Sequence, residues 1–144
     1  MTLLHVLVIE DDADMRALLC RSLKRQNVAS VLAAASADDA LNLLQASENE
    51  INFVLSDWNL PGISGLELCR ALKFQRPIVP ILMITGRDDA DSVRKAHGAG
   101  IDGYIIKPVM PRELFRKIEF IVRQTWERRV GGSDRDEAGE LKSR

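Results

Sequence analysis

Five short apolar runs of strand length alternate along this chain with stretches whose apolar residues recur at helical spacing. That alternation predicts an α/β domain with a parallel sheet, because parallel neighbours are joined through crossovers, usually helical. The first run, Leu3 to Ile9, is nearly unbroken in Val, Leu and Ile, as a strand buried on both faces reads. Met15, Leu18, Leu19 and Leu23 follow at one-face helical spacing. Val28 to Ala34 reads as a weaker second strand. Ser36 then caps a helix with an acidic first turn at Asp38 and Asp39, which Ala40, Leu41 and Leu44 carry inward. Ile51 to Ser56 is the third strand, and Leu66, Cys69 and Leu72 mark the third helix. Ile78 to Ile84 carries the fourth, with Pro80 confined to its start because proline donates no ladder hydrogen bond. Asp89 to Ala99 reads as a short helix closed by Gly98 and Gly100, and Gly103 to Ile106 as the fifth strand. Pro111 suits the first turn of a last helix with Leu114, Ile118, Ile121 and Val122 on its buried stripe. The result is five β-α units in (βα)5 order.

Bulk properties narrow the class. The 144 residues suit one domain, and 46 % apolar with 28 % charged residues is an ordinary globular balance. A net charge of −1 supplies no basic field for nucleic acid. No apolar run approaches the roughly 20 residues of a membrane span, and the N-terminus lacks a secretory signal's basic flank and cleavage site. Cys20 and Cys69, without CxxC spacing, read as reduced structural thiols of a cytoplasmic protein. Character changes after Trp126. Glu127 to Arg144 carries five acidic and five basic residues and little to bury, so residues 1–126 are expected to form the domain. Residues 127–144 are expected to be a charged, disordered tail or a linker cut from a longer chain.

The polar residues collect at strand ends. Strand one ends in Glu10-Asp11-Asp12, strand three in Ser56-Asp57-Trp58-Asn59, strand four in Thr85-Gly86 and strand five in Lys107-Pro108. Open α/β sheets bind ligands outside the carboxyl ends of their strands. Three carboxylates crowded there repel one another, and a divalent cation removes that repulsion. All-oxygen ligands without nearby His or Cys favour Mg²⁺ over zinc. Lys107 adds a mobile cation and Thr85 a hydroxyl, while Gly86 leaves space. Such a cradle around one carboxylate suits phosphoryl transfer, with Asp57 as the nucleophile.

Four ordered motifs resemble the receiver domain of two-component response regulators over roughly residues 4–124: Val8-Ile9-Glu10-Asp11-Asp12, Leu55 to Gly62 with Gly65, Ile84-Thr85-Gly86, and Tyr104-Ile105-Ile106-Lys107-Pro108. The stretch from Ser56 to Leu68 is especially similar to single-domain chemotaxis regulators. The resemblance implies a flavodoxin-like doubly wound fold whose five-stranded parallel sheet has the order 2-1-3-4-5. It implies phosphorylation of Asp57 by a histidine kinase or phosphotransfer protein, with catalytic help from Thr85 and Lys107. Mg²⁺, with Mn²⁺ as a substitute, would be held by Asp11, Asp57, the Asn59 backbone carbonyl and Glu10. Glu10 would act through water or directly, since many receivers carry Asp there and the extra methylene alters the metal distance. Thr85 and Tyr104 would act as the switch, moving the face of helix four, strand five and helix five for an unknown protein target. Pro108 would follow a cis bond, and Asn59 and Arg87 would tune the lifetime of the phosphorylated state. A phosphorylation-dependent homodimer is compatible with the resemblance. Membrane and direct nucleic-acid partners are not expected.

Plainer readings stand beside these. Asp11 and Asp12 suit a helix's first turn, Thr85 an N-cap, Lys107 a surface turn, and Tyr104 a static half-buried strand position. Trp58 is expected to be a partly exposed loop residue, useful as a fluorophore beside the metal. Met15 and Met83 read as core, and His5 and His97 lack ligand-like spacing. An aspartate-nucleophile phosphatase usually needs a second Asp two residues after the nucleophile, where this chain has Asn59. A dinucleotide site is disfavoured because the first turn is acidic and lacks GxGxxG. The short tail is too small for a helix-turn-helix output domain. A stand-alone switch protein, rather than an enzyme, is therefore the favoured expectation, with an N-terminal receiver fragment of a larger regulator as the alternative.

Overall fold

The computed structural model describes residues 3–26, 28–46, 50–86 and 90–138, with side chains as far as residue 125. Strands β1 (His5–Ile9), β2 (Ser30–Ala34), β3 (Phe53–Asp57), β4 (Ile81–Thr85) and β5 (Gly103–Ile106) alternate with helices α1 (Ala13–Lys24), α2 (Ala37–Ala46), α3 (Gly65–Gln75), α4 (Ala90–Gly98) and α5 (Pro111–Ala138). All pairings are parallel, in the order β2-β1-β3-β4-β5. This is the flavodoxin-like fold.

Strand side chains alternate between faces, so each central strand feeds two cores. Leu7, Ile9, Val54, Ile81 and Met83 face one side, where α2, α3 and α4 contribute Leu44, Leu68, Leu72 and Ala96. Val6, Val8, Phe53, Leu55, Leu82 and Ile84 face the other, covered by Leu19 and Leu23 of α1 and by Leu114, Ile118 and Ile121 of α5. Phe53 is fully buried, and truncating such a side chain to alanine costs roughly 3–5 kcal/mol. Every residue of β3 and of β4 is buried, whereas β2 and β5 at the sheet edges are partly exposed.

Strand boundaries depart from the sequence expectation in a consistent way. The strands begin later than the apolar runs: β1 starts at His5, β2 at Ser30, β3 at Phe53 and β4 at Ile81. Pro80 lies just before β4 and offers its carbonyl to the Val54 amide at 3.0 Å. At the other end, Asp57 and Thr85 are the last residues of their strands rather than the first beyond them. The ladder carries past Asp57, with the Trp58 amide donating to Ile84 O at 3.0 Å. The start expected at Asp89 lies outside the described residues. Helix α5 continues to Ala138, through Gly131 and Gly132, so residues 127–138 are helical where irregular chain was expected; residues 139–144 lie outside the described residues.

Helix ends follow local chemistry. Asp12 accepts from the Asp14 amide at 3.1 Å and caps α1. Ser36 Oγ accepts from the Asp39 amide at 3.2 Å at the start of α2. Ser64 and Glu67 form a reciprocal capping box on α3. Among the described residues no helix is long and apolar enough to cross a membrane.

Candidate functional site

The chain reverses its direction of sheet growth between β1 and β3, and their carboxyl ends meet at that switch point. Glu10 follows β1 and its amide donates to Ala34 O at 3.0 Å, which fixes the backbone there. Its carboxylate is 1 % exposed, and Oε2 accepts the Asp12 amide at 3.2 Å. Asp57 ends β3, is 4 % exposed, and pairs with Ile84 of β4, while the preceding Ser56 pairs with Ile9 of β1. Carboxylate oxygens of Glu10, Asp11 and Asp57 all lie within 4.8 Å of one another, with Asp11 on the exposed side.

Charge makes this cluster incomplete by itself. Two carboxylates about 4 Å apart repel by roughly 1 kcal/mol in water and about 4 kcal/mol at an effective dielectric of about 20. Lys107, after β5, brings its Nζ to 3.5 Å from Asp57 Oδ1 and 3.9 Å from Glu10 Oε1. One ammonium does not balance three carboxylates. Burial pushes the Glu10 carboxyl up to about 7; the Asp12 amide pulls it down, the neighbouring Asp57 charge adds to the rise, and Lys107 opposes it. Glu10 Oε1 and Asp57 Oδ1 are buried without a hydrogen-bond partner. Two such oxygens beside the more exposed Asp11 suit a hard divalent cation that takes one or two carboxylates and keeps water on its open side. The residues present therefore fit a magnesium ion.

The other expected residues fall around this cluster. Thr85 ends β4, is fully buried, and accepts the Lys107 amide on its carbonyl at 2.7 Å. A Cβ built on Gly86 would meet nothing within 4 Å, so the space beside Thr85 is open. The Lys107–Pro108 bond is cis. Asn59 is exposed, two residues beyond Asp57. Tyr104 is half-buried in β5. Arg87 lies outside the described residues. His5 is occupied structurally, its Nδ1 lying 2.8 Å from Ser30 Oγ, and His97 is exposed.

Trp58 corrects the sequence reading. It is 5 % exposed and belongs to the core beneath α3, not to an exposed loop. Its ring meets Tyr104 edge-on, with centroids 6.4 Å apart and planes at 82°. The cause is the tight return of the chain: the Gly65 amide donates to Trp58 O at 2.6 Å. A Cβ on Gly65 would overlap the Asp57 carbonyl oxygen. Gly65 is thus a close-approach glycine that lets α3 start against the backbone of Asp57. The spacing Ser64-x-x-Glu67 is a signal from which this cap could be read; the close approach that requires Gly65 has no such local signal.

Comparison with known proteins agrees with this geometry. The family model for the response regulator receiver domain matches residues 6–119. The chemotaxis protein CheY of Pseudomonas aeruginosa is 30 % identical over 120 residues, covering 82 % of this chain and 95 % of that protein. The phosphate regulon transcriptional regulatory protein PhoB of Klebsiella pneumoniae is 35 % identical over 122 residues, covering 83 % of this chain and 52 % of that longer protein. Among solved structures, a CheY-like receiver domain protein from Methanospirillum hungatei superposes with a TM-score of 0.79 at 31 % identity, covering 88 % of this chain and 98 % of that one. Sequence motifs, strand order, buried acidic cluster and family match converge: the chain belongs to the response regulator receiver domain family of two-component signalling systems.

Proposed function

We propose that this receiver accepts a phosphoryl group on Asp57 from a histidine kinase or a histidine phosphotransfer protein and passes the change to a protein target. The observation that carries the proposal is the Asp57 carboxylate itself. It is 4 % exposed, its Oδ1 has no hydrogen-bond partner, and the Lys107 ammonium lies 3.5 Å from that oxygen. A desolvated carboxylate with an oxygen left open is a nucleophile held ready. In the transfer, an Asp57 oxygen forms the bond to phosphorus while the phosphorus–nitrogen bond of the donor phosphohistidine breaks. The imidazole leaves with that electron pair and takes a proton. The Lys107 ammonium pairs with phosphoryl oxygens, Thr85 offers its hydroxyl, and the open space at Gly86 admits the group. Glu10, Asp11, Asp57 and the Asn59 carbonyl are the residues that would hold Mg²⁺, or Mn²⁺ in its place. When bound, the ion neutralises the clustered carboxylates and the incoming oxygens.

The protein acts as a signalling switch that assists its own phosphorylation and dephosphorylation. Phosphorylation adds nearly two negative charges, which draw on Thr85 and Lys107. Tyr104, in contact with the indole that follows Asp57, is placed to turn inward and alter the face of α4, β5 and α5. Asn59 and Arg87 tune how long the phosphorylated state lasts. The receiver unit comprises residues 1–126, and residues 127–144 serve as a tail or linker. We place the protein in the cytoplasm. A second reading has the receiver at the head of a larger regulator, as in the PhoB relative, of which the chain spans about half. The apparent mass of the native polypeptide separates the two.

The direct test is intact mass after incubation with a small phosphodonor and Mg²⁺. One phosphate adduct is expected, absent in Asp57→Asn and absent with a chelator. A folded wild-type protein whose mass never changes with several donors would overturn the proposal.

A further inference from the structure

We infer that Arg16 is a positioning residue for the acidic turn, holding the backbone from which the Glu10 and Asp11 carboxylates reach the cation. The inference rests on the phosphoryl-transfer reading of the same site. Arg16 lies in the first turns of α1, and its Nη1 donates to Glu10 O at 2.9 Å and to Asp11 O at 3.4 Å. The helix cannot serve these carbonyls, because its first backbone bond runs from the Arg16 amide to Asp12 O at 2.8 Å. A cation near a helix N-terminus is electrostatically disfavoured, since that end carries the positive pole. The adjacent carboxylate cluster offsets that penalty, so the guanidinium belongs to the turn and not only to the helix surface.

The mechanical consequence follows from the planar peptide. Fixing the Glu10 and Asp11 carbonyls fixes the peptide planes on either side of Asp11, and with them the direction in which that residue's side chain leaves the backbone. A guanidinium suits this role because one nitrogen, Nη1, carries two N–H donors held in the guanidinium plane, one for each carbonyl. Lysine also offers several donors on one nitrogen, but on a flexible stem and without a fixed plane, so it holds the two carbonyls less firmly. Removing the brace should loosen the turn before the cation arrives, so ordering it then weakens cation binding. It should leave the rate of transfer nearly unchanged once the cation is saturating, because the guanidinium bonds the Glu10 and Asp11 carbonyls whereas Asp57 faces Lys107.

The test compares wild type with Arg16→Met, Arg16→Gln and Arg16→Lys. Mg²⁺ is titrated twice: by Trp58 fluorescence without phosphodonor, and by the rate of adduct formation. Residues that orient ligands in this indirect way typically contribute about 10–100-fold in metal affinity. Arg16→Met is therefore expected to raise the Mg²⁺ half-saturation by about tenfold or more in both titrations, with a saturating rate within about twofold of wild type. Arg16→Lys should fall between. In chelator, amide exchange at Asp12 and Asp14 should accelerate in Arg16→Met. Coinciding Mg²⁺ curves for Arg16→Met and wild type, or a reduced saturating rate at unchanged half-saturation, would overturn the inference. Should Arg16→Met fail to fold, Arg16→Gln carries the same decision, since its shorter arm cannot bridge both carbonyls. A wild-type protein that binds Mg²⁺ but forms no adduct would instead sink the phosphoryl-transfer reading, and the fluorescence titration would still decide the role of Arg16.

Discussion

Replacing Glu10 by glutamine should make the cation-free protein more stable at alkaline pH. Glu10 is raised from 4.5 to about 7, first by burial and then by the Asp57 charge. A raised carboxyl favours the protonated form in the folded state. Its contribution is fully present below pH 4.5, is lost as pH climbs through about 7, and is constant above that. The window spans roughly 2.5 pH units at 1.36 kcal/mol each, a loss of about 3 kcal/mol. Glu10 is 1 % exposed, so solvent screening does little to reduce it. Because the Asp57 charge is one cause of the raised Glu10 pKa, Asp57→Asn should recover part of the same loss.

The assay is urea denaturation in chelator at pH 4.5, 6, 7 and 8, at one ionic strength. Glu10→Gln and wild type should be similarly stable at pH 4.5, apart from a constant offset for the amide. The difference should then move by about 2–3 kcal/mol in favour of the variant by pH 8. Saturating Mg²⁺ should stabilise wild type more at pH 8 than at pH 5, because the proton and the cation compete for one carboxylate. Parallel pH profiles for wild type and Glu10→Gln would refute the reasoning, since the buried negative charge would then cost nothing in the folded state.

Other perturbations test other parts of the structure. Gly65→Ala places a methyl on the Asp57 carbonyl oxygen, so backbone must shift; a loss of at least about 2 kcal/mol is expected by denaturation, with slower adduct formation. Asp102→Ala strips Lys73 of its ion pair at 2.7 Å and the Ile81 amide of its acceptor at 2.8 Å. A largely desolvated pair broken on one side costs about 3 kcal/mol, and Asp102→Asn, which keeps an acceptor, should cost less. Lys107→Met removes the ammonium that faces Asp57 and Glu10; adduct formation should slow by roughly 100-fold or more by time-resolved intact mass. Unchanged kinetics there would remove Lys107 from the site.

The sequence revealed most where one residue's type already implied its environment. Unbroken Val, Leu and Ile runs implied strands buried on both faces, and β3 and β4 are buried throughout. Acids and a lysine after such runs implied a site at the strand ends, because few other placements let them keep contact with solvent or a counter-charge. Strand order was different in kind. Nothing in the periodicity distinguishes 2-1-3-4-5 from its rearrangements, and the expectation came from family resemblance alone. Tertiary features were illegible for the same reason. Trp58 follows a site aspartate and looks like a loop residue; only the return of α3 over it, permitted by Gly65, places it in the core. Helix α5 passes Gly131 and Gly132, where local propensity favours a stop.

The sheet also determines where added charge at Asp57 can be felt. Strand β3 is hydrogen-bonded on both sides and entirely buried, and β1 likewise lies between two neighbours. Moving either would disturb side chains worth several kcal/mol apiece when truncated, far more than one exposed ion pair contributes. Strand β5 pairs only with β4 and carries Ile106 at 40 % exposure. Two residues expected to respond, Lys107 and Tyr104, sit on or just beyond that edge strand, and Thr85 is tied to Lys107 through its carbonyl. A charge placed on Asp57 therefore meets a rigid wall toward β1 and a softer one toward β5. On the proposed reading the signal leaves through Lys107 and Tyr104 on the β5 side, because that edge strand is the least expensive to rearrange, and the Trp58–Tyr104 edge contact lies on that side.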